Sequence, residues 1–154
     1  MVERNPNDCI RCMTFVGTAW RNNILLVSSR ISSGRDKATG SNATDRVTRK
    51  ENRIILVKLV IGESIINIIS AYATQVGLDD LTKEQFWEQM DDVVQGIPFG
   101  EKLFIGGDFN GHVGVHKQGY EEVHGDFGFG DLKEGGRRIL YFAVTFDLIV
   151  GNTL

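Results

Sequence analysis

No unbroken apolar run of about eighteen residues occurs anywhere in the chain, so no segment reads as a membrane-spanning helix. The opening Met1-Val2-Glu3-Arg4-Asn5-Pro6 lacks the apolar centre of a secretory signal, and the expectation is an intracellular protein that is not secreted and meets no membrane. Without such a signal, the glycosylation pattern at Asn42-Ala43-Thr44 carries no meaning. Cysteine is nearly absent. The two present form Cys9-Ile10-Arg11-Cys12, and with no second pair they fall short of a four-ligand zinc site. No βαβ pattern precedes them to suggest a redox motif, so they read as free thiols in an irregular N-terminal segment. Histidine is equally scarce. His112 and His116 are spaced i, i+4, but Gly111 and Gly114 exclude the helix that would give them a shared face, and both read as loop residues.

What is there suits one globular domain. The 154 residues are 42% hydrophobic and 24% charged, enough to bury a core. Charge is unevenly placed: residues 1–60 carry eleven Lys and Arg against five Asp and Glu, and residues 61–154 carry six against fifteen. A basic half would suit a polyanion and an acidic half a divalent metal, although solvated faces of mixed sign explain the same numbers.

Residues 1–22 show no sustained periodicity. Asn23-Ile24-Leu25-Leu26-Val27-Ser28 is a short strand candidate, and Arg30 to Lys50 has the polar composition of a long loop or insert. The pattern then sharpens. Arg53 to Ile61 and Ser64 to Tyr72 are β-branched runs separated by Gly62-Glu63, which predicts a hairpin with a type II′ turn. Both runs are apolar at nearly every position, which predicts cover on both faces. Thr82-Lys83-Glu84-Gln85 reads as a capping box opening a helix, with Phe86, Trp87, Met90, Val93, Val94 and Ile97 as its apolar stripe. Gly96 and Pro98 end it. A strand at Leu103 to Ile105 follows. Gly111 to Gly136 is a glycine-rich excursion expected on the surface, holding His116 and His124. Arg138 to Phe146 reads as a second helix, with Ile139, Phe142, Ala143 and Phe146 on one side. Leu148-Ile149-Val150 starts a further strand close to Leu154, which suggests a truncated domain.

The chemistry concentrates in Lys102-Leu103-Phe104-Ile105-Gly106-Gly107-Asp108-Phe109-Asn110-Gly111-His112. An apolar strand ends in two glycines, which let another backbone or a phosphate come close, and then delivers a carboxylate and a carboxamide at i and i+2. Open α/β proteins keep their chemistry at such strand ends. An Asx-type turn explains the same residues.

Gly107-Asp108-Phe109-Asn110 after a strand resembles the signature of the endonuclease/exonuclease/phosphatase superfamily of metal-dependent phosphoesterases. Ile68-Ile69-Ser70-Ala71-Tyr72-Ala73-Thr74-Gln75 is similar to that family's strand ending in Tyr-x-Pro, with Thr74 where proline is usual. From about Asn52 to Leu154 the wording resembles the endonuclease domains of LINE-type retrotransposons and craniofacial development protein-like sequences. The resemblance implies a partial four-layer α/β sandwich of the DNase I-like type over residues 52–154, behind an irregular segment over residues 1–51. It implies hydrolysis of DNA phosphodiesters with Mg2+ or Mn2+. Asp108 would hold the metal or align the attacking water, Asn110 would bond the phosphate or fix the aspartate, and Tyr72 would place its hydroxyl on the scissile phosphate. The family's metal-binding Glu has no match in residues 1–52, and its terminal Asp-His pair would lie beyond Leu154, so weak or lost activity is expected. Asp126 and Asp131 could help hold a cation and Arg137 and Arg138 could meet a phosphate backbone, though solvated positions account for all four. A non-catalytic module binding nucleic acid or protein, and a retroelement remnant, stand beside the enzyme reading.

Overall fold

The computed structural model describes residues 11–15, 46–50, 52–74, 79–116 and 119–153. Six strands form one sheet: β1 (Arg11–Phe15), β2 (Arg46–Lys50), β3 (Ile54–Ile61), β4 (Ser64–Tyr72), β5 (Lys102–Asp108) and β6 (Ile149–Val150). Their spatial order is β2-β3-β4-β5-β1-β6. The first three make an antiparallel meander, and β4, β5, β1 and β6 run parallel. Among the described residues two helices complete the α/β architecture, α1 (Asp80–Gln95) between β4 and β5 and α2 (Glu134–Thr145) between β5 and β6.

The hairpin forms as its sequence predicts. Gly62 has φ of 60° while Glu63 is not among the left-handed residues, the combination that separates type II′ from type I′. Ile61 then faces Ser64, and the register runs unbroken to Ile54 opposite Ala71.

One face of the sheet is the core. Ile54, Ile69, Ala71, Leu103 and Ile105 are buried against Phe86, Met90 and Val94 of α1 and Ile139, Phe142 and Ala143 of α2 in a single cluster. All six expected α1 stripe positions, Ile97 included, are buried. Cover is unequal between faces: β4 alternates buried with half-buried positions, and Phe104 on the face away from the helices is exposed. The uniform two-sided burial expected from the apolar runs is therefore not found, and no second sheet of a sandwich occurs among the described residues.

Other expectations need correction. Arg46–Lys50, expected in a polar loop, is the edge strand β2, exposed throughout, and its charged residues suit an edge that must not recruit another strand. Arg11–Phe15, in a segment without visible periodicity, is β1, and it takes Cys12 out of the irregular segment and into the sheet. A five-residue strand is too short to display a period. The strand candidate at 23–28 and Cys9 lie outside the described residues. Helix α1 begins before the expected capping box. Asp79 is the N-cap, accepting from the Thr82 amide at 2.9 Å and the Thr82 hydroxyl at 2.7 Å, bonds that hold its carboxyl below the usual range. Helix α2 likewise opens a turn early, because Gly135 and Gly136 are helical despite their low propensity. The glycine-rich excursion is not all surface: Val113, Val123 and His124 are buried, and His124 bridges to Val150. Among the described residues no helix is long and apolar enough to cross a membrane.

At the N-terminal end of β5, Glu101 accepts from Lys58 at 2.7 Å and from the buried Asn67 at 2.8 Å. Burial opposes the Glu101 charge, but these two hydrogen bonds and the Lys58 ammonium outweigh it and hold the carboxyl below its ordinary value. Such a group stabilises the fold fully above its unfolded value of about 4.3, and that contribution is lost as pH falls through the lower folded value. Stability is therefore expected to drop on acidification below about pH 4.3, with Glu101→Gln flattening that part of the curve. Urea denaturation across a pH series reads this, and parallel curves for both proteins would remove Glu101 from the account.

Candidate active site

Strands β4 and β5 are parallel neighbours that end together, with Tyr72 and Asp108 as register partners. Strand periodicity decides which way these residues face. Ile69, Ala71, Leu103 and Ile105 face the helices, so Tyr72 and Asp108, one residue out of phase, share the other face. They stand about 4.8 Å apart along the backbone, the ordinary strand spacing. Both are half-buried.

The approach of the two strands depends on Gly107. A Cβ there would fall on the carbonyl of Ala71, its register partner, so a side chain cannot be accommodated without moving backbone. This is the close approach that the glycine pair predicts.

Beyond Asp108 the chain turns at Asn110, whose φ is 50°. The Asn110 amide donates to Asp108 Oδ1 at 3.1 Å, an Asx-type turn that orients the carboxylate. Asn110 Nδ2 donates to the Ala73 carbonyl at 3.1 Å, and the Ala73 amide donates to the Asp108 carbonyl at 2.8 Å. The last two hydrogen bonds tie the two strand ends together, and the first holds the turn itself. It is the backbone of Asn110, not its carboxamide, that holds the aspartate. One Nδ2 proton is spent on Ala73, leaving the second to donate to an oxyanion. The Tyr72 amide donates to the Arg53 carbonyl at 2.9 Å, and the Arg53 guanidinium lies 5.9 Å from the Tyr72 ring centre, within cation–π range. Tyr72, Asp108 and Asn110 are therefore together, at the ends of the two central strands.

The remaining candidates disperse. His112 and His116 are exposed on irregular chain. His124, only 2% exposed, faces the Gly114 carbonyl with Nε2 at 3.3 Å and accepts from the Asp126 amide at Nδ1, which makes it a structural histidine. Asp126 and Asp131 are exposed loop residues away from Asp108 in sequence. Arg138 pairs with Glu84 at 3.1 Å and lies 5.8 Å from the Trp87 ring centre, while Arg137 is exposed.

A cleft of about 780 Å3 opens beside Asn110, on the helix side of the sheet end. Thr74, Asn110, His112, Lys133, Arg137 and Arg138 line it. The sequence did not point to Thr74 or Lys133. Thr74, which stands where proline is usual in the resembled family, is 7% exposed. Lys133 is the N-cap of α2, a position that charge patterning alone does not reveal.

A divalent cation requires several hard oxygen donors. Among the described residues no group of three or more His, Cys, Asp or Glu side chains could hold a metal ion. Asp108 offers one carboxylate, so these residues do not by themselves fit a Mg2+ or Mn2+ site.

Similarity to known proteins is low but extends over most of the chain. Craniofacial development protein 2 of Bos taurus is 30% identical over 130 residues, 84% of this chain and 20% of that protein. The protein of the same name from Tragulus javanicus is 28% identical over 113 residues, 73% of this chain and 19% of its own length. The chain thus spans about a fifth of the length of the curated relatives it matches. No protein-family model matches it.

Proposed function

We propose that this chain is part of a domain that hydrolyses DNA phosphodiesters, of the type found in LINE retrotransposon endonucleases, with the strand-end group Tyr72, Asp108 and Asn110 as its reacting edge. The observation that carries this reading is the register pairing of Tyr72 with Asp108, fixed by the Asn110 turn. Support comes also from the distant likeness to craniofacial development protein 2, which agrees with the resemblance read from the residues.

The chemistry asked of each residue follows from its bonds. Asp108, with one carboxylate oxygen held by the Asn110 amide, keeps the other for a water molecule and can take its proton as it attacks phosphorus. Asn110 donates its second Nδ2 proton to a non-bridging oxygen, and Tyr72 can donate its hydroxyl to the same phosphate. Mg2+ or Mn2+ would neutralise the phosphoryl oxygens when bound. Its further ligands would have to come from outside the described residues.

A second reading, a non-catalytic nucleic-acid binding module, is favoured because no group of three potential metal ligands occurs among the described residues. The two separate in one experiment. Supercoiled plasmid is incubated with the purified chain and Mg2+, beside Asp108→Ala. Weak nicking that needs the metal and disappears in the variant is the result expected of the enzyme reading. Absence of nicking by a chain that unfolds cooperatively in urea would sink the enzyme reading and leave the binding one.

A further inference from the structure

We propose that the cleft between α1 and α2 is a phosphate site, occupied by the sugar-phosphate backbone of a single nucleic-acid strand. It is distinct from the Tyr72–Asp108 pair, whose side chains lie on the other face of the sheet, and it is lined by Asn110.

The first observation is Thr74. It is more than nine-tenths buried and lines the cleft, and among the described residues its hydroxyl has no hydrogen-bond partner. A hydroxyl out of water with nothing to bond is costly, and nearly all such groups in native proteins are satisfied. One that faces a cleft is satisfied by whatever fills the cleft.

The second is the start of α2. This helix of 12 residues has Lys133 as its N-cap, and no side chain caps its opening amides. Those amides and the positive end of the helix favour an anion. Gly135 also lines the cleft, so no side chain there stands between a ligand and the backbone.

The third is the balance of charge. The acids at the rim are largely spent: Asp80 pairs with Lys83 at 2.9 Å and Glu84 with Arg138 at 3.1 Å. Lys133 and Arg137 have no carboxylate partner among the described residues, and Glu134 is the remaining acid on the lining. A neutral hydroxyl donor, uncapped amides and two unpaired cations match a phosphate better than a carboxylate, because a phosphate offers more acceptor oxygens. At about 780 Å3 the cleft has more room than one phosphate group fills, space for the sugars on either side of a backbone phosphate. A backbone phosphate therefore fits better than a free one.

Binding is measured without metal and without turnover, so it stands whether or not plasmid nicking is seen. The probes are inorganic phosphate and a fluorescently labelled single-stranded oligodeoxynucleotide, titrated against the full chain, Arg137→Gln and Thr74→Val over a salt series. Arg46→Gln, which removes an exposed cation on the edge strand β2 away from the cleft, is carried as the control. The oligonucleotide is expected to bind, and Arg137→Gln to weaken it about tenfold and to reduce the salt slope by about one charge. Thr74→Val is expected to weaken it about threefold to tenfold with the slope unchanged, since the lost donor is neutral. Arg46→Gln should not weaken it. Inorganic phosphate binding that depends on Arg137 and Thr74, with no oligonucleotide binding, would keep the phosphate chemistry and replace the strand by a free phosphate. Equal affinities and slopes in all four proteins, with unchanged urea midpoints, would overturn the site, as would failure of both probes to bind.

Discussion

Trp87→Ala is expected to destabilise the fold by about 3–5 kcal/mol, enough to leave a substantial fraction unfolded if the domain has ordinary stability. The indole is 8% exposed and occupies the junction between the two helices and the chain beyond β5. It meets Phe86 edge-on at 5.4 Å, stacks on Phe109 at 6.0 Å and packs against Phe142 at 5.4 Å. Truncation leaves a cavity that three rings from three different segments border, and rigid rings collapse poorly into it. Loss of the Arg138 guanidinium from the indole face adds a smaller term, about 0.5–1 kcal/mol at an exposed position. Urea denaturation measures the total. A loss below about 1 kcal/mol would mean that Trp87 does not join the helices to the site as described.

Gly107→Ala should cost about 3 kcal/mol although it adds a single methyl group. The new carbon would meet the carbonyl oxygen, the carbonyl carbon and the amide of Ala71, all backbone, and none can rotate away as a flexible side chain would. The strands must separate locally, which also displaces Asp108 from Tyr72. Activity, where present, should fall further than the loss of folded protein explains. Gly100→Ala is the control, because a methyl group there meets nothing within 4 Å and no left-handed backbone is involved. Equal midpoints for the two variants in thermal denaturation would show that the strands tolerate the methyl group.

The sequence made some of this legible and hid the rest for identifiable reasons. Long periodic segments were readable: the α1 stripe, the hairpin with its Gly62 turn, and the strand leading to Asp108 all depend on local pattern. The meeting of Tyr72 with Asp108 could be expected only from resemblance, since parallel register between strands joined through a helix leaves no local signal. The two short strands β1 and β2 escaped because five residues carry too little period and β2 is made largely of charged residues. The proposed phosphate cleft was legible only in Arg137, which could be read as meeting a phosphate backbone. Thr74 and Lys133 are ordinary residues in sequence, and their significance lies in what does not satisfy them after folding.

The position of β1 has a consequence for how the chain reaches its folded state. This strand begins at Arg11, yet both of its neighbours arrive late: β5 about ninety residues on and β6 close to Leu154. The meander β2-β3-β4 joins strands close in sequence and can form early, whereas β1 must wait for partners that pay a large loop-closure entropy to reach it. During synthesis β1 is thus made before either of its partners and is among the last strands to be paired. Until β5 and β6 emerge, β1 is an unpaired strand in search of an edge, and the exposed edge nearest in sequence is β2, where Arg46, Arg49 and Lys50 oppose a misplaced partner.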